Sequence, residues 1–170
     1  MRVKKPLLLV AFILLLVVLV LGITGLAVAA PATAVKGDVT FVDWVVFGPF
    51  IEDPVSGTWE WSGNVITWQL SGDLMGTYTM YSTYSGKIGH TADKITGTAT
   101  FDGYLGIKHI IWSATLKGAG KSDPDPNAFA GRNYWQSTLT SGMKGQITIH
   151  QLYGGYGPQP DYAVYWGELK

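Results

Sequence analysis

The stretch GTWEWSGNVITWQLSGDLMGTY, residues 57–78, places Trp59, Trp61 and Trp68 within ten positions. Aromatic rings can fill a core, or offer a face to a flat ligand or to the C–H side of a sugar. Trp59 and Trp61 lie two apart, so on an extended backbone they share one face while Thr58 and Glu60 share the other. Trp68 falls in step with Ile66 and Leu70, the register of a core residue. Trp59 and Trp61 are therefore the candidate stacking pair, and Trp68 is filling whose indole N–H should find a carbonyl. Tyr78 and His109 complete the candidate ligand-binding set. Tyr78 shares a face with Tyr84, and His109 falls in line with Ile107 and Ile111.

Other chemistries leave little trace. There is no G-x-S-x-G, no cysteine, and no serine or threonine at a recognisable elbow, so no catalytic residue is assigned. The acidic neighbours Glu52-Asp53 read as solubilising, as do Asp123 and Asp125. His90, His109 and His150 lack the close spacing of a ligand motif, although His109 and His150 could meet across strands. Asp123, Asp125 and Asn127 have the D-x-D-x-N spacing of a calcium loop. Its sixth and twelfth positions, however, hold Ala128 and Tyr134 instead of Gly and Glu. Pro124 and Pro126 stiffen the same segment, which reads first as a solvated loop and only second as an irregular calcium site. No metal and no cofactor is expected.

The elements that would carry these residues follow a leader. Arg2, Lys4 and Lys5 precede an uncharged run, apolar without a break from Leu7 to Leu21, and Ala27-Val28-Ala29 and Ala32-Thr33-Ala34 fit a small-residue cleavage pattern. Residues 1–30 are read as a signal peptide, or alternatively as a retained membrane anchor, and residues 35–170 as one exported domain. Without the three leader cations the chain holds nine basic against twelve acidic residues, a balance of −3. No basic cluster survives, so nucleic acid is not expected as a partner, and a membrane only through the N-terminal segment. Export would permit disulfides, but the absence of cysteine leaves stability to burial alone.

Within the domain the pattern has period two, broken by Gly, Asp and Pro. In KITGTATFDG, Ile95, Gly97, Ala99 and Phe101 point one way and Thr96, Thr98, Thr100 and Asp102 the other. Strands are predicted near 38–47, 57–62, 64–71, 74–84, 94–102, 106–118, 132–140, 143–152 and 161–169, with SGN, SGD, FDGYLG and TSGMKG as turns and longer loops at 48–56, 121–131 and 153–160. This is an all-β chain, a single small antiparallel barrel of about eight strands, because closure removes the edges an open sheet would have to protect.

The segments LSGDLMGTYTMYSTY, KITGTATFDG and LTSGMKGQITIH resemble the allene oxide cyclase barrel-like superfamily, most closely its small uncharacterised bacterial members. Gly72-Asp73-Leu74-Met75-Gly76 matches one of its strand openings, and Leu139, Gly142 and Gly145 match part of its late hairpin. The resemblance spans residues 55–169 and implies the barrel fold. It brings no catalytic set, because no residue of the cyclases' set matches here. The expected function is a non-catalytic exported domain binding a small apolar ligand, a glycan or a protein. The alternatives are a cyclase or isomerase working in an apolar cavity, and a membrane-anchored structural protein of the envelope.

Overall fold

Alternation decides which side of each strand leaves water, and the computed structural model follows it. It describes residues 31–122, 130–154 and 162–170. Nine strands result: β1 (Thr33–Val46), β2 (Phe50–Asp53), β3 (Thr58–Gly72), β4 (Leu74–Lys87), β5 (Ala92–Leu105), β6 (Lys108–Ser122), β7 (Ala130–Ser141), β8 (Gly145–Gly154) and β9 (Tyr162–Leu169). Each pairs antiparallel with its neighbour in the order β1-β9-β8-β7-β6-β5-β4-β3, and β1 pairs with β3 to close the cylinder; β2 is added to the edge of β3. The described part is thus an eight-stranded antiparallel barrel with one extra strand, and no described helix is long and apolar enough to cross a membrane.

The barrel is strongly staggered. Starting at Val39, successive cross-strand partners are Ala163, Gln151, Asn133, Gly120, Asp93, Gly86 and Trp59. The direct partner of Val39 across the closing seam is Leu70, eleven residues along β3 from Trp59. Such an offset is what tilts the strands by roughly 35–45° and gives an eight-stranded barrel an interior that side chains can fill.

They fill it. Trp68, Trp112, Trp135, Tyr78, Tyr165 and Phe101 are all fully buried, packed with Leu70, Leu74, Met80, Ile95, Leu116 and Ile147. Phe101 stacks on Trp112 at 5.3 Å, and Trp68 meets Trp135 at 5.9 Å. The inward face predicted for KITGTATFDG is the one observed, with Ile95, Ala99 and Phe101 buried. Trp68 is core, as its register predicts, but its indole N–H has no hydrogen-bond partner among the described residues, contrary to expectation; the same is true of Trp112.

Two predicted elements differ. Residues 57–62 and 64–71 are one strand, because Ser62-Gly63-Asn64 forms a bulge in β3 instead of a turn. Gly63 takes a positive φ of 66°, which a bulge and a hairpin both require, so the sequence signal is shared. Residues 50–53, predicted as loop, form β2. The bulge also receives the β1–β2 connection, where Phe47 N–H donates to Gly63 carbonyl at 2.9 Å and Ser62 N–H to Pro49 carbonyl at 3.3 Å.

Candidate functional site

Above the filled interior, one end of the barrel opens into a cavity of about 370 Å³. Its lining includes Phe41, Trp44, Trp59, Trp61, Trp68 and Tyr84 together with the polar side chains of His90, Asp93, Asn133 and Gln151. The two sets come from different walls. Phe41 and Trp44 lie on β1 and Trp59, Trp61 and Trp68 on β3, adjacent strands; Asp93, Asn133 and Gln151 lie on β5, β7 and β8, farther round the barrel.

The aromatic wall is built by the β3 bulge. Asn64, fully buried at that bulge, accepts a hydrogen bond from Trp44 Nε1 at 3.0 Å and donates its own amide to the Trp61 carbonyl at 2.8 Å. One side chain thereby fixes both tryptophans, whose rings lie 5.0 Å apart and tilted by 56°. Phe50 of β2 stacks on Trp59 at 5.9 Å and meets Trp61 edge-on at 6.3 Å, while Phe41 meets Trp68 edge-on at 5.4 Å. Trp59 is held by another device. Its indole lies against Gly86, where a Cβ would come within 2.9 Å of the ring, so only glycine lets it lie down on β4.

The polar wall centres on Asp93. This side chain shares the inward register of Ile95 but sits at the rim, and its Oδ1 is buried with no hydrogen-bond partner among the described residues. Burial raises its pKa above the ordinary carboxylate value, partly offset by the backbone N–H groups of Asp93 and Gly120. Asn133 donates to Gln151 Oε1 at 3.1 Å, which orients its amide.

Of the predicted ligand residues, Trp59 and Trp61 meet in this pocket. Tyr78 does not join them. It is wholly buried in the barrel, its hydroxyl 2.8 Å from Ser137 Oγ and accepting from Trp135 Nε1 at 3.2 Å, and burial pushes its pKa up to about 12. His109 is on the outer surface, 2.7 Å from the Asp102 carboxylate and 5.1 Å from the Tyr104 ring, because Ile107 and Ile111, with which it is in step, also face outward. Asp123, Asp125 and Asn127 lie outside the described residues, among which no three His, Cys, Asp or Glu side chains could hold a metal together. Sequence reasoning missed Asn64, Asp93, Asn133 and Gln151. Three of these carried a signal: Asp93 is in step with Ile95, Asn133 with Trp135, and Gln151 with Ile149, each a polar residue on an apolar face.

Asp93 makes one stability prediction. With its pKa raised above 3.8, folding favours the protonated acid, so the cost of holding the carboxylate sets in as pH rises past 3.8 and is complete above the folded-state value. Asp93→Asn is expected to stabilise the barrel at pH 7 by about 0.5–1 kcal/mol, less than a fully buried orphan because water screens a half-exposed group. Thermal melts should show a gain of about 2–4 °C at neutral pH that vanishes near pH 3. A variant less stable than the native chain at pH 7 would contradict the assignment.

Compared with known proteins, the chain matches no family model and none of the curated sequences.

Proposed function

We propose that this is an exported, non-catalytic binding domain whose barrel mouth holds one small, flat, largely apolar molecule. The observation that carries the reading is the open cavity of about 370 Å³ walled by Trp44, Trp59 and Trp61 above a sealed interior. That volume is at the lower end of ligand pockets, which run from about 300 to 1,000 Å³. It suits a molecule of one or two rings better than a lipid chain, which the plug formed by Trp68 and Trp135 would stop. A single sugar ring stacked on a tryptophan face belongs to the same size class.

Calorimetric titration of the full-length chain with neutral one- and two-ring aromatics, a monosaccharide series and a long-chain fatty acid tests the reading. Ring compounds are expected to bind and the fatty acid to fail. Trp59→Ala or Trp61→Ala should weaken ring binding by about tenfold, the worth of one lost aromatic contact. Silence across every ring compound, or binding indifferent to both substitutions, would remove this function.

A second reading has one observation in its favour. Asp93, with its raised pKa in a mostly apolar pocket, is placed as a proton-transfer group would be, in keeping with the cyclase or isomerase class that the superfamily resemblance admits. It requires turnover that Asp93→Asn abolishes, whereas the binding reading requires only a dissociable complex.

A further inference from the structure

Resting on the binding reading above, we infer that the ligand is an organic ammonium, its flat body against Trp59 and Trp61 and its cationic nitrogen held by the Asp93 carboxylate. Three features of the pocket lead there. Among the described residues Asp93 is the only carboxylate in the lining, none of these lining residues is Lys or Arg, and the one other ionisable group of opposite sign is the His90 ring, so an occupant meets a single acidic group. Its Oδ1 is out of water with no hydrogen-bond partner among the described residues, a state that costs stability unless something is bound. And the acceptors around it converge.

The convergence depends on Gly120. A Cβ at this position would collide with Asp93 Oδ1 and would come within 2.6 Å of Asn133 Oδ1. Two acceptor oxygens from β5 and β7 therefore aim at the space over one glycine of β6. Asn133 cannot turn its amide into that space without losing the hydrogen bond to Gln151. An ammonium group carries three donors and no acceptor, so it can satisfy both oxygens at once. A hydroxyl has a single donor, and an anion has none.

The aromatic wall points the same way. Along one cross-strand row the order is Trp59, Gly86, Asp93, Gly120, Asn133. Each glycine yields its space to a neighbour: Gly86 to the Trp59 indole, Gly120 to the two oxygens. The indole therefore lies on the strand next to the carboxylate, where a cation is attracted by the ring face as well as by the charge. A sugar could stack on the ring and donate hydroxyls to the two oxygens, but it brings no charge to the carboxylate.

The test uses three indoles of similar size whose side arms end in a cation, a neutral hydroxyl and an anion: tryptamine, tryptophol and indole-3-acetate, titrated calorimetrically into the full-length chain. Tryptamine is expected to bind at least about tenfold more tightly than tryptophol, and indole-3-acetate more weakly than either. In Asp93→Asn the tryptamine-to-tryptophol ratio should fall to about one. Gly120→Ala should lower the same ratio while keeping the charge, because the new methyl displaces the carboxylate; thermal melts confirm that each variant is folded. Equal affinity for tryptamine and tryptophol in the native chain, or a ratio unchanged by Asp93→Asn, overturns the ammonium assignment and leaves the aromatic pocket standing. If none of the three binds while another ring compound of the wider series does, the ammonium assignment falls and the binding reading stands; silence across the whole series removes both.

Discussion

Replacing Trp135 with alanine should cost the barrel about 3–5 kcal/mol, the range for deleting a large buried aromatic. The residue is wholly buried, its ring meets Trp68 at 5.9 Å, and its indole N–H donates to the Tyr78 hydroxyl at 3.2 Å. Alanine would leave a void the size of a bicyclic ring in a cylinder whose hydrogen-bonded wall cannot collapse inward. It would also leave the buried Tyr78 and Ser137 pair without one of its donors. Single domains hold only about 5–15 kcal/mol in total, and this one has no disulfide to compensate. The melting temperature should drop by about 10 °C or more, read by circular dichroism. Trp135→Phe should recover more than half of that loss, since it keeps most of the packing and gives up the N–H. Near-native melting of Trp135→Ala would mean that the interior is not packed as described. The substitution also reaches the pocket: Trp68 is at once floor of the mouth and neighbour of Trp135, so deleting the latter lets the floor sink.

What the sequence disclosed and what it concealed divide along one physical line. A strand with one dry face cannot slip by a residue without turning that face outward, so alternation in KITGTATFDG reports the buried side faithfully. The same logic identifies Trp68. Local pattern fails where two structures need the same residue: Gly63 serves a bulge as readily as a turn, and that ambiguity hid Asn64, the strut beneath Trp44 and Trp61. It also fails where nothing alternates, as in β2, whose four residues are all exposed on an edge. Asp93 escaped for another reason. Beginning the strand at Lys94 left it one residue outside, although it is in step with Ile95. Its meeting with Asn133 and Gln151 could not be read locally at all. Those residues come from β5, β7 and β8 and are aligned by the stagger of the whole barrel, a property of closure and not of any segment. Tyr78 and His109 had similar local signatures, yet one is sealed inside and the other sits on the outer wall.

That dependence on closure makes Gly37→Val the most damaging substitution expected far from the pocket. β1 is paired with β9 from Thr33 to Val39 and with β3 from Gly37 to Val46, so only Gly37, Asp38 and Val39 are held on both sides. Gly37 points inward between Val35 and Val39, and the place of its missing Cβ is taken by the Ser71 carbonyl and by Tyr165, whose ring carbon and hydroxyl would lie 2.7 and 2.8 Å away. The carbonyl is backbone and cannot swing aside. Tyr165 is also engaged, accepting from Leu74 N–H at 2.6 Å and donating to the Leu74 carbonyl at 3.3 Å. Valine can therefore be admitted only by parting β1 from β3, at a cost of about 3 kcal/mol or more, the upper range for overpacking. A parted seam exposes two strand edges and invites pairing between chains, so loss of soluble monomer should accompany the lower melting point. Lys36→Ala, on the outer face one residue away, should stay within about 0.5 kcal/mol of the native chain. The seam and the pocket also share a strand: Phe41 and Trp44 follow Gly37 on β1, so binding of ring compounds should disappear with the closure although Gly37 touches no part of the cavity lining. Retained binding and native-like melting of Gly37→Val would show that the mouth is held by β3 alone.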